Sequence, residues 1–307
     1  MHASVLRYFD EVARRGSIRR AARELNVAAS AVNRQILNLE QELGCLLFER
    51  LSSGVKPTPA GEILLAHIRR TLTDWRNTTG GIAALSGEIA GEVRILSIPP
   101  LIVSVLTSVV GKLTETYEKV SFVVLASDGT KSAEQMRIGY PDVALLPYDK
   151  RFHNYVIVDT LHMKLGAVVA PDHPLADRRS LTFSECADHP AFLLYDNWVR
   201  DHSESEFRYT GAKFAPRVQS NSWTFVRKMI RAGNGVGFFT PVGVMEELQK
   251  GELKFIPVQI PEKENSRLSI YVHIDRRESS EVVAAIDEIR NSFQNVRALL
   301  AGLEDDG

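Results

Sequence analysis

The sequence predicts an α/β protein that begins with an all-α winged helix-turn-helix, followed by a long linking helix. Three observations carry that expectation. Residues 17–50 read as two short helices around a tight turn, the second with polar residues on its outward face. Apolar residues then recur every three or four positions from Leu65 to Ile82. From Gly91 onward, short apolar runs alternate with helical periodicity, the pattern of parallel strands joined by crossover helices.

The first helix is expected over residues 3–14, where Val5, Leu6, Phe9, Val12 and Ala13 recur at helical spacing. Gly16 ends it, and Ser17 is an N-cap for a second helix over 18–25. Asn26-Val27 turns the chain into a third helix over 29–43, closed by Gly44. Val32, Ile36, Leu39 and Leu43 form its expected buried stripe, leaving Ser30, Asn33, Arg34 and Asn38 outward with Gln35 alongside. Asn and Gln side chains can pair with adenine and Arg with guanine, so this face suits a DNA major groove. A solvated helix face is the competing reading of any one of these residues.

After Arg50, itself a candidate contact, residues 51–58 read as two extended pieces around Gly54. That is a hairpin wing with Lys56 and Thr58 placed to meet phosphates. Thr58-Pro59 then supplies an N-cap and a first-turn proline for a helix to about residue 85. Leu65, Ile68, Leu72, Trp75, Thr79 and Ile82 follow the spacing of a two-helix seam. Pairing with a second subunit is expected, although the stripe could also pack on its own domain. Gly80-Gly81 is a point of expected bending or ending, at about 1 kcal/mol per glycine relative to alanine.

Charge distribution agrees. The chain carries a net −1, yet residues 1–58 hold nine Lys/Arg against six Asp/Glu, leaving 28 basic and 32 acidic side chains beyond. A basic head on an acidic body suits local phosphate binding. At 307 residues the chain allows about two domains, with expected divisions at 1–58, 59–90 and 91–307. The N-terminal residues fit neither a signal peptide nor a membrane span. The longest apolar stretch, 101–110, is interrupted by Ser104, Thr107 and Ser108 and is too short to cross a bilayer. A cytoplasmic protein without membrane contact follows. Cys45 and Cys186 suggest neither a disulfide framework nor a metal site, and Cys45 is expected as a buried small hydrophobe.

In the body, strands are expected at 92–97, 120–126 and 143–146, with helices at 103–117 and 132–138 between them. That βαβαβ order implies a parallel sheet. A second set follows: strands at 165–170, 191–195 and 237–239, a helix at 223–232, another strand at 267–274 and a closing helix from 279 to about 300.

The order of motifs in the head resembles the LysR-type transcriptional regulators. The fragments are Gly16-Ser17-Ile18, Ala21-Ala22-Arg23-Glu24-Leu25, Asn33-Arg34-Gln35-Ile36, Leu39-Glu40-Gln41-Glu42-Leu43-Gly44, Leu47-Phe48-Glu49-Arg50 and Thr58-Pro59-Ala60-Gly61. Two departures remove expected DNA contacts. Ala28-Ala29-Ser30 stands where the family places Ser-Gln-Pro, and Ser53 where the wing often carries arginine. In the body, Asp172-His173-Pro174-Leu175-Ala176 and Ala232-Gly233-Asn234-Gly235-Val236-Gly237 look like landmarks of the family's effector-binding region.

The resemblance implies a two-lobed effector domain built like a periplasmic solute-binding protein. Lobe I would take about 91–160 and 268–300, and lobe II about 161–267. It also implies a dimer or tetramer on double-stranded promoter DNA, a small organic effector in the cleft, and an effect on RNA polymerase. The family commonly offers a hydroxyl at the position of Pro100. The remaining polar candidates are Ser97, Thr130, Ser132, Asn197, Asn221 and Ser222, with Trp198 and Trp223 as walls. Backbone amides near Ser132 could hold an anion, which makes a carboxylate one candidate effector.

Other classes fit less well. Gly233-Asn-Gly235-Val-Gly237 follows a helix and precedes a strand, the reverse of a phosphate-cradling loop. No Walker sequence or nucleophile elbow occurs, and His153, His162, His173 and His189 match no metal-ligand spacing. His202-Ser-Glu204 lacks the cysteine pair of a zinc deaminase. No catalytic residue, cofactor or metal is expected. An enzyme or a small-molecule-binding protein of two-lobed fold remains the alternative; a transport protein or an architectural DNA protein accounts for only half the chain.

Overall fold

The computed structural model describes residues 3–52, 54–127, 130–194, 216–259 and 266–305. The chain forms two compact units, residues 1–82 and 83–307.

In the first unit α1 spans Ala3–Arg15, α2 Ile18–Glu24 and α3 Ala29–Leu43. Ser17 caps α2 by accepting from the Arg20 amide at 3.4 Å. Asn26 supplies the tight turn at φ 52°, a conformation that asparagine tolerates better than most side chains. Phe9, Val12, Ala21, Val32, Ile36 and Leu39 are buried together with Leu47 and Phe48.

Two expectations fail at the end of α3. Leu43 is exposed rather than part of the buried stripe, and Cys45 is exposed rather than buried. Gly44 adopts the left-handed conformation, φ 65°, so the chain reverses there and its next apolar pair to point inward is Leu47-Phe48. One Glu40 carboxylate oxygen fixes that reversal by accepting from the Leu47 and Phe48 amides at 2.8 and 3.2 Å.

The wing pairs β1, Phe48–Leu51, antiparallel with β2, Gly54–Pro57. It therefore begins three residues before the expected start. A side chain at Gly54 would meet the Gly16 carbonyl oxygen at 2.1 Å, and the Val55 amide donates to that same oxygen at 2.9 Å. The wing is thus docked on the turn between α1 and α2.

Helix α4 runs over Pro59–Leu85, straight through Gly80-Gly81. Its stripe divides. Leu65 and Ile68 are buried in the core of the first unit, with Leu72 packed beside them. Burial of each such side chain contributes about 1.5–3 kcal/mol, so this half is satisfied without a second subunit. The other half is not: Trp75 and Ile82 are 56% and 62% exposed.

The second unit holds two five-stranded sheets. The first is ordered β4-β3-β5-β12-β6, from β3 (Ala90–Ser97), β4 (Lys119–Ala126), β5 (Val143–Pro147), β6 (Tyr155–Met163) and β12 (Ser266–His273). The second is ordered β11-β7-β10-β8-β9, from β7 (Gly166–Val169), β8 (Ala191–Leu194), β9 (Pro216–Ser220), β10 (Val236–Phe239) and β11 (Lys254–Pro257).

The expected parallel pairing holds for β3 with β4 and β5, but β12 runs antiparallel to both β5 and β6. The sheet is mixed because β12 enters from the other lobe at the end where β5 leaves. Strands β6, β9 and β11 go beyond the sequence expectation. So does the helix α8, Phe183–Ala187, whose capping box joins Thr182 and Glu185.

One face of the first sheet is covered by a helical run and by α11, Ser280–Asp305. The run consists of α5 (Pro99–Leu101), a π-helical turn (Ile102–Leu106) and α6 (Thr107–Thr116). The opposite face carries α7, Thr130–Arg137. In the second sheet, α9 (Trp223–Arg231) packs on β8 and β10, and a 3-10 turn, Pro241–Val244, leads into α10, Met245–Gln249.

Arg276 locks the first sheet to α11. It is 1% exposed and binds Asp142 at 3.1 Å, Glu281 at 2.5 Å and the Glu92 carbonyl at 3.2 Å.

Candidate nucleic-acid interface and effector region

On α3, Ser30, Arg34 and Asn38 are exposed at four-residue spacing and so share one side of the helix. Asn33 and Gln35 are half-buried on its flanks. Among the described residues, none of these five side chains has a hydrogen-bond or ion-pair partner. A set of donors and a guanidinium left unpaired beside a rigid core can bind bases or phosphates without first breaking internal contacts.

The wing adds Arg50 and Lys56, both exposed. Register sets Arg50 opposite Val55 and Lys56 opposite Glu49, so the two cations leave opposite faces of the ribbon. The structure therefore does not bring them together. Thr58 is engaged elsewhere, since its hydroxyl donates to the Leu46 carbonyl at 2.8 Å and accepts from the Gly61 amide at 3.0 Å. Its proton is committed to joining the wing to α4.

Three residues escape a sequence-based choice. Arg19, Arg20 and Arg23 on α2 are exposed and have no carboxylate partner among the described residues. Their signal is present in the local charge count, but sequence alone does not separate free cations from paired ones. Arg14 and Arg15 pair with Glu11, Arg15 also with Glu24 at 2.8 Å, and Arg69 with Asp10 at 2.9 Å. Leu37 escapes it too. It stands 46% exposed between Arg34 and Asn38, an apolar group beside the polar set.

In the body the expected effector residues fall apart into different roles. Ser97 is fully buried and donates to the Ile98 carbonyl at 3.2 Å, while its own carbonyl accepts from the Ser127 amide at 2.7 Å. Ser132 is buried and shares a 2.6 Å hydrogen bond with the Ser127 hydroxyl. Pro100 is buried as well, and α5 packs against the turn Pro241–Val244 from the other lobe. Apolar contact thus occupies the position where a hydroxyl was expected.

Ser222 caps α9 by accepting from the Phe225 amide at 3.2 Å, and Asn221 beside it is exposed. Trp223 packs on Phe239 at 5.7 Å between ring centroids. Thr130 opens α7, but its side chain, like Asn197 and Trp198, lies outside the described residues.

The titratable groups displaced from their ordinary values include a histidine and a cysteine of the body. Burial and the neighbouring His189, with ring centroids 4.7 Å apart, push the His173 imidazole down. Burial pushes the Cys186 thiol up to about 12. No described helix is long and apolar enough to cross a membrane, and the described residues hold no group of three or more His, Cys, Asp or Glu that could take a metal.

Comparison with known proteins follows these two units. The lysR-family model of bacterial regulatory helix-turn-helix proteins matches residues 4–62, and the LysR substrate binding domain matches residues 86–294. A hydrogen peroxide-inducible genes activator of Pectobacterium carotovorum subsp. carotovorum is 26% identical over 273 residues, 88% of this chain and 90% of that protein. The HTH-type transcriptional regulator YwbI of Bacillus subtilis is 31% identical over 263 residues, 83% and 85% of the two chains.

Among solved structures, a full-length OxyR variant from Pseudomonas aeruginosa matches with a TM-score of 0.69 at 20% identity, covering 94% of this chain and 95% of that one. CbnR in complex with its target DNA matches at 0.58 and 18%, covering 95% and 100%. These structures share the fold. With both domains present in order along most of its length, the chain belongs to the LysR family of DNA-binding transcriptional regulators.

Proposed function

We propose that the chain binds pseudo-palindromic promoter DNA through α3, with Ser30, Asn33, Arg34, Gln35 and Asn38 in the major groove. Arg19, Arg20, Arg23, Arg50 and Lys56 would hold phosphates around it. The observation that carries this is the unpaired polar face of α3, set on a buried core. Two copies join along the exposed half of α4, through Trp75, Thr79 and Ile82, and further assembly gives a tetramer.

The protein acts by binding rather than by catalysis, in the cytoplasm where promoter DNA is. A small organic effector in the cleft between the lobes favours one lobe arrangement and so changes how RNA polymerase is recruited. An effector of equal affinity for both arrangements would shift nothing.

The peroxide-inducible relatives suggest a second reading, a thiol sensor. The thiolate is the reactive form, and Cys186 is buried with its thiol pushed up to about 12. Cys45 is exposed but lies in the DNA-binding unit. Hydrogen peroxide is therefore expected to leave promoter affinity unchanged; a peroxide-dependent footprint would restore the thiol reading.

The test of the main reading is capture of genomic fragments by the purified full chain at moderate ionic strength, with and without a metabolite panel. Enrichment of a few pseudo-palindromic sites is the expected result. Recovery of random fragments alone would contradict it.

A further inference from the structure

Strand β6 is an outer strand of the first sheet, with β12 paired to one side of it. At nine residues it is the longest of the described strands. It carries the run Val156-Ile157-Val158, with Ile157 43% exposed. On the outer side of such a strand, alternate residues turn their N–H and C=O groups away from the sheet. A long apolar edge with those groups open is a template for a strand from another chain.

Here the outward groups are taken by side chains. The Thr160 amide donates to the Asp159 carboxylate at 2.7 Å, and the Thr160 carbonyl accepts from Arg297 at 3.3 Å. Arg297 also pairs with Asp159, which joins the two caps. Two residues along the strand, the Val158 carbonyl accepts from Arg290 at 3.1 Å. Among the described residues Arg290 meets no carboxylate, so a backbone oxygen is what fixes its guanidinium.

Both arginines belong to α11, seven residues apart and therefore on one side of the helix. Each follows a residue that anchors α11 in the core, since Ile289 and Val296 are buried with Phe293 between them. The packing of the helix thus sets two guanidinium groups along the rim of the strand.

We propose that α11 keeps the β6 edge closed, and that the partner it excludes is a second copy of this chain adding its own β6. The edge is complementary to itself. A twofold axis through Ile157 would lay two uncharged runs side by side, antiparallel, and would keep the two Asp159 carboxylates apart. The proposal does not depend on what α3 or the cleft binds.

The test is analytical ultracentrifugation of the full chain without DNA, wild type beside the double variant Arg290→Ala, Arg297→Ala, over a range of concentrations. The double variant is expected to form species larger than the wild-type assembly, its self-association strengthened about tenfold for each carbonyl released from a charged donor. Adding Ile157→Lys places a charge at the centre of the pairing edge and should restore the wild-type distribution. Arg290→Ala alone removes one exposed side chain and one hydrogen bond, so it should fold as the wild type does and show the larger species at higher concentration.

A wild-type distribution in the folded double variant overturns the proposal, as does one in Arg290→Ala should the double variant fail to fold. Larger species that persist after Ile157→Lys overturn it too, because their contact would then lie elsewhere.

Discussion

In the DNA-binding unit, Arg19, Arg20, Arg23, Arg34, Arg50 and Lys56 stand exposed without a carboxylate partner among the described residues. In the body, Lys112, Lys119, Arg231 and Lys250 close on Glu288, Glu88, Glu252 and Glu246 at 2.6–2.8 Å. Exposed pairs of this sort add little stability. Their consequence is that these particular cations are cancelled locally, whereas Lys150, Arg179, Arg217 and Lys228 of the body, like the head cations, have no carboxylate partner among the described residues. Arg267 is a further body cation with no acid partner among the described residues, and an aromatic ring holds it.

The largest expected effect tests what a buried pair does that an exposed one does not. Arg276→Gln leaves Asp142 and Glu281 buried without their shared cation, a loss of about 3–5 kcal/mol. In calorimetry the body transition should fall while the head transition stays; an unmoved body transition would mean that the network is dispensable.

The head has its own close contact. A side chain at Gly61 would come within 2.1 Å of the Leu47 carbonyl oxygen, at the junction of wing and α4. Gly61→Ala should therefore destabilise the head by about 1–3 kcal/mol, as overpacking does, with body unfolding unaltered. An unshifted head transition would show that the junction can yield.

Arg34→Ala turns to binding. A lost base contact costs about 1–3 kcal/mol of discrimination, so preference for the captured site over random DNA should drop with no change in thermal stability. Equal discrimination would take Arg34 off the base-reading face.

The smallest effect is a pH slope confined to the body. His173 has its pKa held below the usual histidine value, so the unfolded chain binds the proton first. Its contribution to stability is intact above about pH 6.5 and is lost as pH falls from there through the lower folded-state pKa. His173→Asn should flatten the slope; an unchanged slope would assign it to other groups.

How much of this is legible in the sequence depends on where partners lie along the chain. The head helices are readable almost to the residue because Ser17, Gly44 and Thr58-Pro59 mark their ends locally. The α4 stripe shows that a partner is needed but not which one, and its two halves find different answers. Strand β6 carries the β-branched run Val156-Ile157-Val158, a signal that could have found it. Strands β9 and β11 are short and offer no such run.

The effector region is least legible. Its candidate residues come from elements far apart in the chain, Ser97 at the end of β3 and Ser222 as the cap of α9. The free state of a cation is equally invisible, since Arg14 and Arg19 look alike until Glu11 is seen beside the first.

The central claim is that the unpaired cations of the head are the ones that meet phosphate. The direct measurement is the dependence of promoter affinity on salt for the wild type and for a variant with Arg19, Arg20, Arg23 and Lys56 changed to glutamine. Each phosphate contact contributes about 0.9 to the slope of log affinity against log salt, so the variant should lose about one unit per contacting residue. A slope identical to that of the wild type, in a variant of undiminished stability, would contradict the claim.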